Sequence, residues 1–430
     1  MLTRIVAAIL LLAAPVTVQA QGQPAAQESQ QTLLEQRADQ AAEVLNGERA
    51  AEEVFAPSFL AAVSRQQLVA IAAQKSAQYG ALKGVAAIRP NDNYTGAVDF
   101  RFENAIGKGQ IQLDPTAPNK IAGLQLLSFE SLNDSIAKIN ADLGSLSGDV
   151  SVLFARLDGN EEPILSVKAD RQSAIGSTFK LYILSALARS IENGERKWSD
   201  VVTLDRKSFP SGKLQDWPDG SPLTLHTLAA MMISISDNSA TDMLLRLLGR
   251  DTVEAELVLL GHSNPARTLP FLSTLEMFAL KGSPGNMAKY IAADQAGRRF
   301  ILADFEDDVG GNLNLITPPR FVEPTAIDTL EWFANGHDLA NVARRFAAMK
   351  DPAARQIMAV NTALPQTMVD DWQYVGFKGG SEPGVLNLTW FLQDEAGRWH
   401  ILTMSWNNKD APVDEAALVQ LGQRLLPFAF

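Results

Sequence analysis

Cysteine is absent from the 430-residue chain, which rules out disulfides, thiolate nucleophiles and cysteine-held metal centres. Histidine is scarce. The four copies, His226, His262, His337 and His400, fall at no metal-ligand spacing, so no metal and no zinc-hydrolase chemistry is expected. Basic residues are outnumbered, 37 Lys and Arg against 49 Asp and Glu, and the net charge of −12 would repel nucleic acid phosphates. No basic patch with interleaved aromatics offsets that balance. Long apolar runs are also missing: Ile5 to Ala14 is the nearest, and it is too short to span a bilayer.

That short run reads instead as the core of a secretory signal. Arg4 supplies the positive start and Val18-Gln19-Ala20 the small-residue cleavage pattern, with Gln21 as the new N-terminus. The expectation is a signal peptide over residues 1–20 and a periplasmic or secreted mature protein without a membrane span. With no cysteine to follow the cleavage point, a lipid anchor there is excluded.

The remainder is globular in composition, 46% apolar and 20% charged, and long enough for two or three domains. Apolar residues recur at helical spacing around Leu33–Leu45 and Phe59–Gln74. Then GVAAIR, TGAVDFRF, KGQIQLD and KIAGLQLLSF alternate with period two between turn residues. Helices followed by a four-stranded meander make a small α+β unit over residues 30–128. It resembles the cone-shaped fold of nuclear transport factor and ketosteroid isomerase, and is expected to dock or cover rather than to carry chemistry. Lys83 and the GSPGN and DDVGGNLN stretches of a 280–320 insertion are the candidate covering segments.

From Ser131 the pattern restarts. An amphipathic helix (SLNDSIAKINADL), strands DVSVLFARLD and PILSVKAD, a long helical middle, strands VLNLTWFLQD and RWHILTMSW, and a closing helix follow. The fold class is α+β: residues 131–430 form an antiparallel sheet flanked by helices, plus an all-helical lobe, with a cleft between the lobes.

Three stretches suit that cleft. Ser177-Thr178-Phe179-Lys180 opens the most apolar helix, where i and i+3 share a face and a desolvated lysine becomes a proton acceptor. The same spacing at Ser135–Lys138 lies on a polar face and reads as a solvated lysine. Ser236-Asp237-Asn238 breaks two apolar runs, where it can serve both as a helix cap and as a pair of cleft groups. Lys378 ends an apolar strand ahead of Gly379-Gly380, glycines that allow close approach of a substrate backbone.

In order and context, the three resemble the motifs of the serine β-lactamase and penicillin-binding protein superfamily, class A β-lactamases most closely. The resemblance implies Ser177 as acylated nucleophile, Lys180 as its proton partner and Ser236 as proton donor to the leaving nitrogen. It implies substrate binding by Asn238, Lys378, Gly380 and Ser381, with the N–H groups of Ser177 and Ser381 forming an oxyanion hole. No cofactor is implied. The partner is a small-molecule β-lactam or a related ester or amide, and the oligomeric state stays open.

Three departures accompany the likeness. Gly379 stands where the family has Thr or Ser, leaving Ser381 as the hydroxyl available for a substrate carboxylate. Ser236 and Lys378 lie 142 positions apart, wider than the family spacing. The deacylating glutamate loop is not clean: Glu276 is the candidate, with Leu280 where Asn is usual, while Glu323 and Glu331 read as part of a helix. Two alternatives follow: a penicillin-binding D,D-peptidase or esterase on the same scaffold, and a non-catalytic cell-envelope receptor.

Overall fold

The computed structural model describes residues 32–116, 118–159, 162–309 and 322–430. The expected signal peptide and most of the DDVGGNLN stretch lie outside the described residues. The chain divides into two compact units, one of Met1–Glu103 with Lys108–Leu126, the other of Asn104–Gly107 with Leu127–Phe430.

In the first unit, four helices (Leu33–Leu45, Ala51–Val54, Pro57–Ala62, Arg65–Tyr79) precede four strands, β1 (Leu82–Pro90), β2 (Thr95–Phe102), β3 (Ala105–Leu113) and β4 (Ile121–Ser131), neighbours in chain order. The first helix starts at a reciprocal cap, Thr32 with Glu35, and buries Leu34, Ala38, Ala41 and Ala42. Phe100 and Ile111 are buried from the sheet. Lys83 is the second residue of β1, and its ammonium lies 4.0 Å from Glu103.

The second unit is built on a five-stranded sheet in the order β11-β12-β13-β5-β6. Its strands are β5 (Asp149–Arg156), β6 (Leu165–Val167), β11 (Tyr374–Glu382), β12 (Val385–Gln393) and β13 (Trp399–Asn407), and each neighbouring pair is antiparallel. Between them in sequence come β7 (Ser173–Ala174), which pairs with β10 (Phe333–Ala334), and β8 (Val201–Thr203), which pairs with β9 (Pro222–Thr224). The N- and C-terminal helices of this unit, Ile136–Ser145 and Glu415–Leu425, share one core with the sheet, through Ile139, Leu143, Trp390, Leu418 and Leu425.

A second core belongs to the helical lobe and centres on the helix Lys180–Glu192. Leu181, Ile183, Leu184 and Leu187 are each wholly buried there, each contributing roughly 1.5–3 kcal/mol. Around it stand Leu225–Ser234, Asn238–Leu248, Arg250–Leu259, Thr274–Lys281 and Gly336–Ala348.

Three local expectations change. The helix expected from Ser131 begins at Ile136, because β4 runs on to Ser131 and Ser135 provides the cap. Glu323 and Glu331 are not helical: the segment around Pro324 turns, runs into β10, and a helix begins only at Gly336, behind the Asn335–Asp338 capping box. The GSPGN stretch is not a loop either, since Pro284 opens the helix Pro284–Ala292.

Candidate active site

Ser177 sits in a one-turn 3-10 segment, Gly176–Phe179, directly ahead of the Lys180 helix. The segment is held from two sides. Ile175 donates its N–H to Trp332 O at 3.0 Å, and Phe179 stacks on Trp332 with ring centroids 3.7 Å apart. On the other side β11 touches it: a Cβ on Gly380 would fall 2.2 Å from Ile175 O and 2.4 Å from Ser177 N. Only glycine fits there. Gly176 has φ +46°, a left-handed value that favours glycine, and a Cβ on it would lie 3.1 Å from Ser381 N. The backbone N–H groups of Ser177 and Ser381 are thus brought beside one another by paired glycines.

Lys180 is completely buried, and its Nζ donates to Ser236 O at 2.7 Å, Ser236 Oγ at 2.9 Å and Asn238 Oδ1 at 2.7 Å. Burial, with the charge of Lys378 beside it, pulls its pKa well below the ordinary lysine range, against the opposing pull of Asp242 and Asp237. Lys378, buried on β11, donates to the same Ser236 Oγ at 3.0 Å, and desolvation lowers its pKa to about 7.

Ser236 therefore accepts from two amines at once. A hydroxyl has two acceptor lone pairs and one proton, so with both lone pairs occupied its proton remains for a third partner. The residue has φ +56°, strained for serine. The surroundings hold it there. Asp237 caps the next helix through Ala240 N at 2.8 Å, and its other oxygen accepts from Lys213 N and Leu214 N. Asn238 is fixed at both ends of its amide, accepting from Lys180 and donating to Phe209 O at 3.1 Å.

Ser177, Ser236, Asn238, Lys378, Gly380 and Ser381 all line one cleft of about 560 Å³. The wide spacing between Ser236 and Lys378 is no obstacle, since the two meet at 3.0 Å. Gly379 has a steric reason: a Cβ there would come within 2.9 Å of the Phe377 ring, leaving no room for a larger residue unless that ring moves. Ser381 is exposed at the cleft edge. The other Ser-x-x-Lys is a surface feature, with Ser135 as a helix cap and exposed Lys138 bonded to Asn133 O.

Glu276 does not join them. It is buried, its carboxylate paired with Arg250 at 2.5 Å and turned back onto the Ser273 N–H at 2.7 Å as part of a capping box. Placing it in the cleft is corrected on that ground: its carboxylate is taken up by Arg250 and by the cap of its own helix, and it does not line the cleft. The sequence held the signal, since Ser273-Thr274-Leu275-Glu276 is a capping-box pattern. The cleft wall at this helix is instead Thr274, whose hydroxyl lies 2.8 Å from Asp242 Oδ2, with Met277 and Phe278. Glu331 and Glu382, which sequence reasoning left out of the site, line the cleft around Lys281.

No curated protein matches the chain. Among solved structures, a β-lactamase from Sphaerobacter thermophilus DSM 20745 is 22% identical, covering 68% of this chain and 94% of its own, with a TM-score of 0.47. The structure of PBP-A is 16% identical, covering 68% and 93%, with a TM-score of 0.46. An ancestral (GNCA) class A β-lactamase is 16% identical, covering 69% and 98%, with a TM-score of 0.47. Residues 133–299, which include Ser177, Lys180, Ser236 and Asn238, match the family model described as the β-lactamase enzyme family, so the resemblance carried by the motifs is that of a β-lactamase-like serine hydrolase.

Proposed function

We propose that the protein opens β-lactam rings by acylating Ser177. Lys180, as the neutral amine, accepts the Ser177 proton as Oγ attacks the lactam carbonyl, whose oxygen takes the negative charge facing the N–H groups of Ser177 and Ser381. Collapse breaks the C–N bond, and the leaving nitrogen takes the Ser236 proton, which is replaced from the Lys180 or Lys378 side. Lys378 supplies positive charge toward a substrate carboxylate, and Asn238 holds the substrate amide. The observation that carries this reading is the Ser236 hydroxyl bridged between Lys180 and Lys378, 2.9 and 3.0 Å away. Intact-protein mass spectrometry after mixing with a penicillin tests it. A one-to-one adduct mapping to Ser177 is expected, and no adduct at any time would sink the assignment.

A second reading concerns the release of that adduct. With Glu276 tied to Arg250 and its cap, no carboxylate on that helix faces the cleft to activate water. Unless Glu331 or Glu382 takes over that task, deacylation is slow and the enzyme is penicillin-binding in practice. An adduct that persists over many minutes supports it, whereas rapid return of free protein with hydrolysed penicillin favours a true β-lactamase.

Export after cleavage at Ala20, and an accessory role without chemistry for the first unit, complete the proposal. Neither follows from the site itself.

A further inference from the structure

Strand side chains alternate, so β11 turns Lys378, Gly380 and Glu382 to one face. Gly380 abuts Ser177, which makes the three a row: a cation, an opening at the nucleophile, and a carboxyl group. The ends of the row are roughly 14 Å apart along the strand, at about 3.4 Å per residue.

The carboxyl end is not charge-balanced. Lys281 Nζ lies 2.6 Å from Glu331 and 2.5 Å from Glu382, its own side chain wholly buried and that of Glu331 1% exposed. One ammonium faces two carboxyl groups. Glu382 is the partly open member, 14% exposed at the cleft. Burial and the neighbouring Glu331 push its carboxyl well above the usual range, against the opposing pull of Lys281. A ligand ammonium at the same place would give the two carboxyl groups a second positive partner.

We propose that Glu382, backed by Glu331, selects acyl donors whose side chain carries an ammonium group, so that the preferred substrate is zwitterionic, with its carboxylate at Lys378 and its ammonium at Glu382. The inference rests on the acyl-enzyme reading above and names its substrate class.

Ampicillin and benzylpenicillin test it, because they differ by one α-amino group on the acyl side chain. Acylation of the mature protein is followed for both by intact-protein mass spectrometry at pH 7, alongside E382Q and E331Q. Either variant leaves Lys281 with one carboxylate, a balanced pair, and adduct formation with benzylpenicillin verifies that each is folded. Ampicillin is expected to acylate the parent about tenfold faster, the factor that 1.4 kcal/mol gives. In both variants the ratio should fall to within about twofold of unity. A ratio near unity in the parent, with both compounds forming adducts, overturns the inference and leaves the acyl-enzyme reading standing. A parent ratio retained in the variants overturns it too. No adduct from either compound removes the reading and the inference together. If E382Q reacts with neither compound, E331Q decides.

Discussion

Ser236 gathers the site at the residue scale: one hydroxyl, in a left-handed backbone, accepts from both buried lysines. Ser177→Ala should form no covalent penicillin adduct while the parent does, read by intact mass; an adduct in the variant would speak against Ser177 as the nucleophile. Lys180→Met keeps the volume and removes the proton acceptor, so acylation should slow by about 10²–10⁴-fold, the usual range for lost general-base catalysis. Lys378 gives the pH dependence. Its folded pKa of about 7 lies below the unfolded lysine value, so between pH 7 and about 10 the unfolded chain binds more protons and stability rises with pH through this group. Binding runs the other way: the cation is lost as pH rises through 7, so KM for carboxylate-bearing substrates should climb above pH 7. Lys378→Arg should flatten that climb, since arginine keeps its charge.

At the element scale, the Ser177 turn is set by contact between backbones. Gly380→Ala would put a methyl group on Ser177 N and Ile175 O, so β11 or the turn must shift. Displacement of reacting groups by about 1 Å costs about a hundredfold in rate, and a loss of that order in acylation is expected, measured with a chromogenic cephalosporin. Glu276→Gln separates structure from chemistry. Breaking its buried pair with Arg250 should destabilise the protein by about 3–5 kcal/mol in urea unfolding, with the acyl-enzyme lifetime little changed. A longer lifetime at unchanged stability would restore Glu276 as the water-activating group. Much of this scale was legible in advance. The motif at Ser177–Lys180 falls at the mouth of its apolar helix, and Ser236–Asn238 falls at the break between two helices, as the apolar patterning indicates. Glu331 was not legible. It lies in a segment whose composition suits a helix, and pairing of β10 with β7 overrides that local preference.

For the whole molecule, charge and export are read together. The first twenty residues predict a leader, and protein recovered from the periplasm of a bacterial host should have an intact mass short of residues 1–20, with Gln21 first. A full-length mass in that fraction would contradict cleavage. Among the described residues no helix is long and apolar enough to cross a membrane.

The sequence by itself determined the absence of thiol chemistry, the periodicities that make a sheet with helices on both sides, and the three motifs, because each depends on residue type and short spacing. Tertiary structure alone decided the rest. Ser236 and Lys378 are 142 residues apart, yet their contact comes from packing β11 against the helical lobe. Glu276 and Glu331 are both buried glutamates paired to a cation, at 2.5 and 2.6 Å, and local sequence does not distinguish them. Which one faces the cleft is set by partners brought from distant segments, Arg250 for the first and Lys281 with Glu382 for the second. A carboxyl group takes its role from the charges and solvent around it, and those are fixed only when the chain has closed on itself.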